Sequence, residues 1–164
     1  MRECQFVHAI CCPFFMVLSD CVLFLHRKQM NDMKTLFHKG TAENLNVYTV
    51  GFSTRPVNGF ASFPVESKSN LTSDGVVLLF NTLPGGSSRE RQGGTLVHEI
   101  GHWLGLFHTF QNGCSPGDGV ADTAPEAEPA RGCPIGKKSC PGSDLPDPIR
   151  QCLFFVVPHY TASN

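Results

Sequence analysis

An excess of charge of either sign is the first thing this sequence lacks. Thirteen Lys and Arg stand against fourteen Asp and Glu, a net charge of −1 over 164 residues, and charged residues make up only 16% of the chain. No basic stripe gathers along it, so the phosphate neutralisation that a nucleic-acid interface requires has no source, which argues against nucleic acid as a partner. Uninterrupted apolar runs are missing too. The most apolar stretch, FVHAICCPFFMVLSDCVLFL, is broken by His8, Pro13 and Asp20, whereas a membrane span needs about 20 mostly apolar residues in a row. No internal repeat is present. No Cys-x-x-Cys pair occurs, so Cys4, Cys11 and Cys12 do not read as a metal cluster. Methionine is absent after Met33.

What is present divides the chain. Residues 1–25 read as a degenerate signal-like sequence, with Arg2 ahead of the apolar run, or as a segment outside the folded domain; no small-x-small cleavage site is evident. Residues 26–148 read as one domain and 149–164 as a divergent tail. Eight cysteines, four of them within the first 21 residues, favour an oxidising compartment, and the sequon Asn70-Leu71-Thr72 agrees with a secreted, extracellular protein. A monomer is expected.

Within the domain, Met30, Met33 and Phe37 fall at helical spacing ahead of Gly40. LNVYTVGF alternates as a strand does, and GFASFPV reads as a short second strand ended by Pro64. GVVLLF, following the turn residues Ser73, Asp74 and Gly75, is a continuous apolar run that suits a strand buried on both faces. A loop, PGGSSRERQGG, leads to a helix from about Thr95 to Leu104. Beyond His108 the chain is rich in Gly and Pro and nearly without periodic apolar residues. Such a segment must be held by disulfides, a metal or its neighbours.

The chemistry concentrates in HEIGHWLGLFH, His98 to His108. His98 and His102 are four residues apart, so on a helix both project from one face, a separation that suits two imidazole nitrogens on one Zn²⁺. Glu99 lies about 100° round the helix, poorly placed to share the metal but close enough to reach its water. Zinc acidifies that water and the glutamate removes the proton. Gly105 accepts the left-handed conformation that stops a helix, so the chain can turn and bring His108 back as a third ligand. Three protein ligands leave one position open, the geometry of a catalytic zinc. Trp103, Leu104, Leu106 and Phe107 are expected to fill the core around it. Three histidines without metal would leave the pattern unexplained, as would a small disulfide scaffold.

The pattern H-E-x-x-H-x-x-G-x-x-H resembles that of the metzincins. The wording around it, DGVVLLFNTLPGGS, GGTLVHEIGHWLGLFHTFQNGC, VADTAPEAEPARGCP followed by SCPG, and MKTLFHKGTAENLNVY, resembles the pappalysin (pregnancy-associated plasma protein-A-like) family, above all its secreted fungal-type extracellular metalloproteases. The resemblance runs from about Met33 to Pro148. It implies an α+β metzincin-like catalytic domain: a twisted sheet, a backing helix, an active-site helix and an irregular lower part held by disulfides. It also implies His98, His102 and His108 as ligands of one catalytic Zn²⁺, Glu99 as general base and acid, a protein or peptide substrate, and a disulfide between Cys114 and Cys140. Cys133 normally pairs further on, and Cys152 is a doubtful substitute. Calcium near Asp118 and Asp122 is a further expectation, resting on relatives that bind it.

The likeness stops at DPI. In place of the family's N-Y-M-D segment stands RQCLFFVVPHYTASN, without the Met-turn methionine or the tyrosine beside it. At the front, too little chain precedes the helix for a pro-region. Both ends therefore read as truncated or replaced. Two functional readings follow: a secreted zinc endopeptidase in which residues near Leu83 to Gly86 border the substrate, or a catalytically inactive zinc-binding remnant of one.

Overall fold

A computed structural model describes residues 7–12, 15–19, 27–51, 57–87, 92–132 and 134–149. These fall into two compact units, one reaching Gly105 and one beginning at Leu106.

The first unit opens with an antiparallel hairpin of β1 (Val7–Cys12) and β2 (Phe15–Ser19), within the stretch that reads from sequence as signal-like or outside the domain. Next come α1 (Arg27–Phe37), β3 (Val47–Val50), β4 (Gly59–Ala61), the single-turn α2 (Pro64–Ser67), β5 (Val76–Leu79) and α3 (Gly94–Trp103). The main sheet has the order β3-β5-β4, with β5 parallel to β3 and antiparallel to β4. The central place of β5 explains its composition. Val76, Val77 and Leu78 are all fully buried, and their side chains alternate between two apolar clusters, as the period of a strand requires. On one face Val77 joins Tyr48, Val50 and Met33, with Met30 and Phe37 of α1 beside them. On the other, Val76 and Leu78 join Val47, with Leu96 and Trp103 of α3 packed against them. Each such side chain contributes roughly 1.5–3 kcal/mol on leaving water. The expected helix, both strands and the doubly buried run are thus all present.

Pro64 does more than end a strand: it begins α2, as its fixed φ favours at a first helical position. Asn70, in the sequon, accepts hydrogen bonds from the Thr72 amide (3.2 Å) and hydroxyl (2.7 Å) and so caps the 3₁₀ turn Leu71–Ser73.

Among its described residues the second unit has neither α-helix nor β-strand. It is held by the Cys114–Cys140 disulfide and by buried acids. The Thr109 hydroxyl donates to Glu126 at 2.6 Å, and Asp147 accepts from the Ser139 amide at 2.9 Å while its own amide donates to the Lys137 carbonyl at 2.7 Å. These bonds replace the ladder that the sequence cannot form. Cys133 and Cys152 lie outside the described residues. No helix among the described residues is long and apolar enough to cross a membrane.

Candidate metal centre

Helix α3 carries the chemistry, and the sheet fixes its orientation. Leu96 and Trp103 lie on the face turned to Val47, Val76 and Leu78, which leaves His98 and His102 on the far side of the helix with Glu99 between the two faces, and all three are buried. The Nε2 atoms of His98 and His102 approach to 3.0 Å, and the rings meet edge-on with centroids 4.4 Å apart. Two nitrogens bound at 2.0–2.1 Å to one tetrahedral ion lie about 3.3 Å apart. The pair therefore has the spacing of two ligands of one ion. Phe63 flanks the second ring, its centroid 5.2 Å from that of His102.

Glu99 is 5% exposed, and burial pushes its carboxyl up to about 8. Strand β4 lies directly against it. A Cβ on Gly59 would stand 3.0 Å from Glu99 Cγ and 2.9 Å from both the Val77 carbonyl oxygen and Leu78, so this position must be glycine for the acid to pack where it does.

The helix ends as the spacing predicts. Gly105 takes φ +99°, and its amide donates to the His102 carbonyl at 2.9 Å. His108 is the third residue of the second unit, its ring stacked on Phe110 with centroids 4.8 Å apart. His98 and His102 each offer one imidazole nitrogen to a metal ion, and His108 is the third histidine of the motif. Imidazole nitrogens at this spacing are donors that zinc accepts, so His98 and His102 fit the ion.

Other expectations fare differently. Trp103 does pack inward, but Leu104, Leu106 and Phe107 are 65, 53 and 48% exposed and fill no core. The helix ends before them, and the turn carries them outward. Leu83 points into the core, leaving Pro84 and Gly85 as the exposed part of that loop. Asp118 accepts the Val120 amide at 3.0 Å in an ordinary Asx turn, and among the described residues neither it nor Asp122 joins a group of three potential ligands. Calcium gains no support.

Two residues near the site escaped the sequence reading. Gly59 carries no signal without the fold. Asp74 reads as a turn residue, yet it is 1% exposed and accepts the Trp103 indole N–H through both carboxylate oxygens at 3.1 Å. The single tryptophan of the chain, needing a partner for its N–H beside the motif, was the available clue.

The peptidase family described as pregnancy-associated plasma protein-A matches residues 30–145. An extracellular metalloprotease of Pyricularia oryzae is 46% identical over 124 residues, covering 74% of this chain and 44% of that protein. One from Neurospora crassa is 48% identical over 126 residues, with the same coverage of 74 and 44%. The chain spans less than half the length of these curated relatives. Among solved structures, Tannerella forsythia mature mirolysin in complex with a cleaved peptide is similar at 27% identity and a TM-score of 0.54, over 65% of this chain and 42% of that one. Mirolysin in complex with a compound numbered 9 gives 28% and 0.59 over 72% and 46%. The motif on its helix, the sheet behind it and these likenesses together place the chain in the pregnancy-associated plasma protein-A family of metzincin metalloproteases.

Proposed function

We propose that the protein is a secreted zinc-dependent endopeptidase, with His98, His102 and His108 as the zinc ligands and Glu99 as general base and acid. The observation that carries this reading is the pair of buried imidazoles on α3, with Nε2 atoms 3.0 Å apart and the Glu99 carboxyl on the same helix. Zinc, when bound, supplies a Lewis acid that acidifies water and polarises a carbonyl. The chain's own residues do the rest. Glu99 takes the proton of the attacking water and returns it to the leaving amine. Its burial keeps bulk water from competing for that proton, and Gly59 leaves it room to approach. The extracellular relatives support secretion, and mirolysin, solved with a cleaved peptide, supports a protein or peptide substrate.

The test is cleavage of a generic unfolded protein by the purified chain, with and without a chelator and beside Glu99→Ala. Chelator-sensitive cleavage that vanishes in Glu99→Ala supports the proposal. A folded, zinc-loaded wild type that cleaves nothing would overturn it in favour of a zinc-binding protein without catalysis.

A further inference from the structure

A buried carboxylate that takes no part in the proposed chemistry links the sheet to the far end of the ligand helix. Asp74 sits just ahead of β5, and its Oδ1 accepts from the Ser62 hydroxyl at 2.9 Å. That hydroxyl oxygen in turn accepts the Gly75 amide at 2.9 Å. Both Asp74 oxygens accept the Trp103 indole N–H. From α1, Lys34 donates to the neighbouring Ser73 carbonyl at 2.6 Å, bringing a cation close to the carboxylate. The acid thus ties the chain after β4 to the end of α3, with Lys34 of α1 bonded to its neighbour, and the residue it grips on α3 directly follows His102.

A carboxylate this deeply buried is costly unless its partners satisfy it. Apolar packing of Trp103 alone would hold the ring in the core while allowing the helix to roll or slide. A directional hydrogen bond to the indole nitrogen removes that freedom, and about one and a half turns of α3 carry the position of Trp103 to both imidazoles. We propose that Asp74 is a positioning residue for the metal site, presetting His98 and His102 through the Trp103 indole before any ion arrives. This inference rests on the reading of those histidines as zinc ligands.

The test is a double-mutant cycle on zinc affinity, measured by competition with a chromophoric chelator, for wild type, Asp74→Asn, Trp103→Phe and the double variant. Trp103→Phe keeps an aromatic ring and removes the indole N–H together with part of the ring's volume, which the double variant with Asp74→Asn controls for. Each single change is expected to weaken zinc binding about tenfold, the scale on which supports of metal ligands act, and the double variant no more than either single. Losses that multiply, or singles that bind as tightly as wild type, overturn the proposal. If Asp74→Asn does not fold, Trp103→Phe alone decides: unchanged affinity in the folded variant overturns it, and a tenfold loss supports it.

A second readout needs no metal. Amide exchange at the C-terminal end of α3, from Trp103 through the capping amides of Leu104 and Gly105, should accelerate in Asp74→Asn while the first turn stays as in wild type. Equal exchange in both turns overturns the proposal. If the wild type binds no zinc, the ligand assignment fails by itself, and this exchange comparison still judges Asp74.

Discussion

Glu99 and Gly59 show how one carboxyl is made useful by what is left out beside it. Replacing Glu99 with Gln removes the proposed proton acceptor but keeps the shape. Peptide hydrolysis is expected to fall by roughly 10²–10⁴-fold while zinc binding, followed by chelator competition, stays near wild type. Gly59→Ala acts from the other side. Its new Cβ meets the Val77 carbonyl oxygen and Leu78 at 2.9 Å and Glu99 Cγ at 3.0 Å, so something must shift. A loss of about 1–3 kcal/mol in urea unfolding is expected, with kcat lowered more than zinc affinity. A variant as stable and as active as wild type would show that the strand yields without disturbing the acid. Glu99 was legible from its place in the motif. Gly59 was not, because its constraint comes from strand β5 and helix α3, each separated from it by at least 17 residues of chain.

At the scale of elements, α1 joins the sheet through a lysine in an unusual place. Lys34 is buried, with its Nζ 5.8 Å from the centre of the Tyr48 ring and 6.0 Å from that of Phe60. Burial lowers its pKa to about 8, against the opposing pull of Asp74 and Glu66. Between pH 8 and 10 the unfolded chain retains a proton that the folded chain has released, so raising the pH favours the fold. The gain is about 2 kcal/mol, measurable as a rise in the urea midpoint between pH 8 and 10 that Lys34→Met abolishes. Above pH 10 the sign reverses. Burial first, and then Asp74, push the Tyr48 hydroxyl upward, so the unfolded chain gives up a proton that the folded chain holds. The periodicity that made α1 readable placed Met30, Met33 and Phe37 correctly, but a pattern that counts lysine as polar surface could not place Lys34 inside.

For the whole molecule, the two units rest on different physics. The first has a sheet with apolar clusters on both faces; the second has turns, buried acids and a disulfide closing 26 residues of separation. Replacing Cys114 and Cys140 with Ser should cost about 3–4 kcal/mol on loop-entropy grounds. Limited proteolysis is expected to cut first between these positions, and cleavage confined to the first unit would contradict this account. Zinc should stabilise the folded chain by about 2.7 kcal/mol at a free concentration one hundred times its Kd, seen as a rise in Tm that a chelator reverses.

The sequence by itself determined what is local or periodic. The i, i+4 pair on α3, the glycine that ends that helix and the β-branched run of β5 each depend on neighbours within a few residues, where backbone geometry leaves few alternatives. Only the tertiary structure decided the long-range matters: that Leu104, Leu106 and Phe107 turn to solvent, that Gly59 faces Glu99, and that Asp74 takes the indole of a residue 29 positions away. Those contacts arise from strand order and helix placement, which result from burying the sheet on both faces at once and are encoded in no single segment.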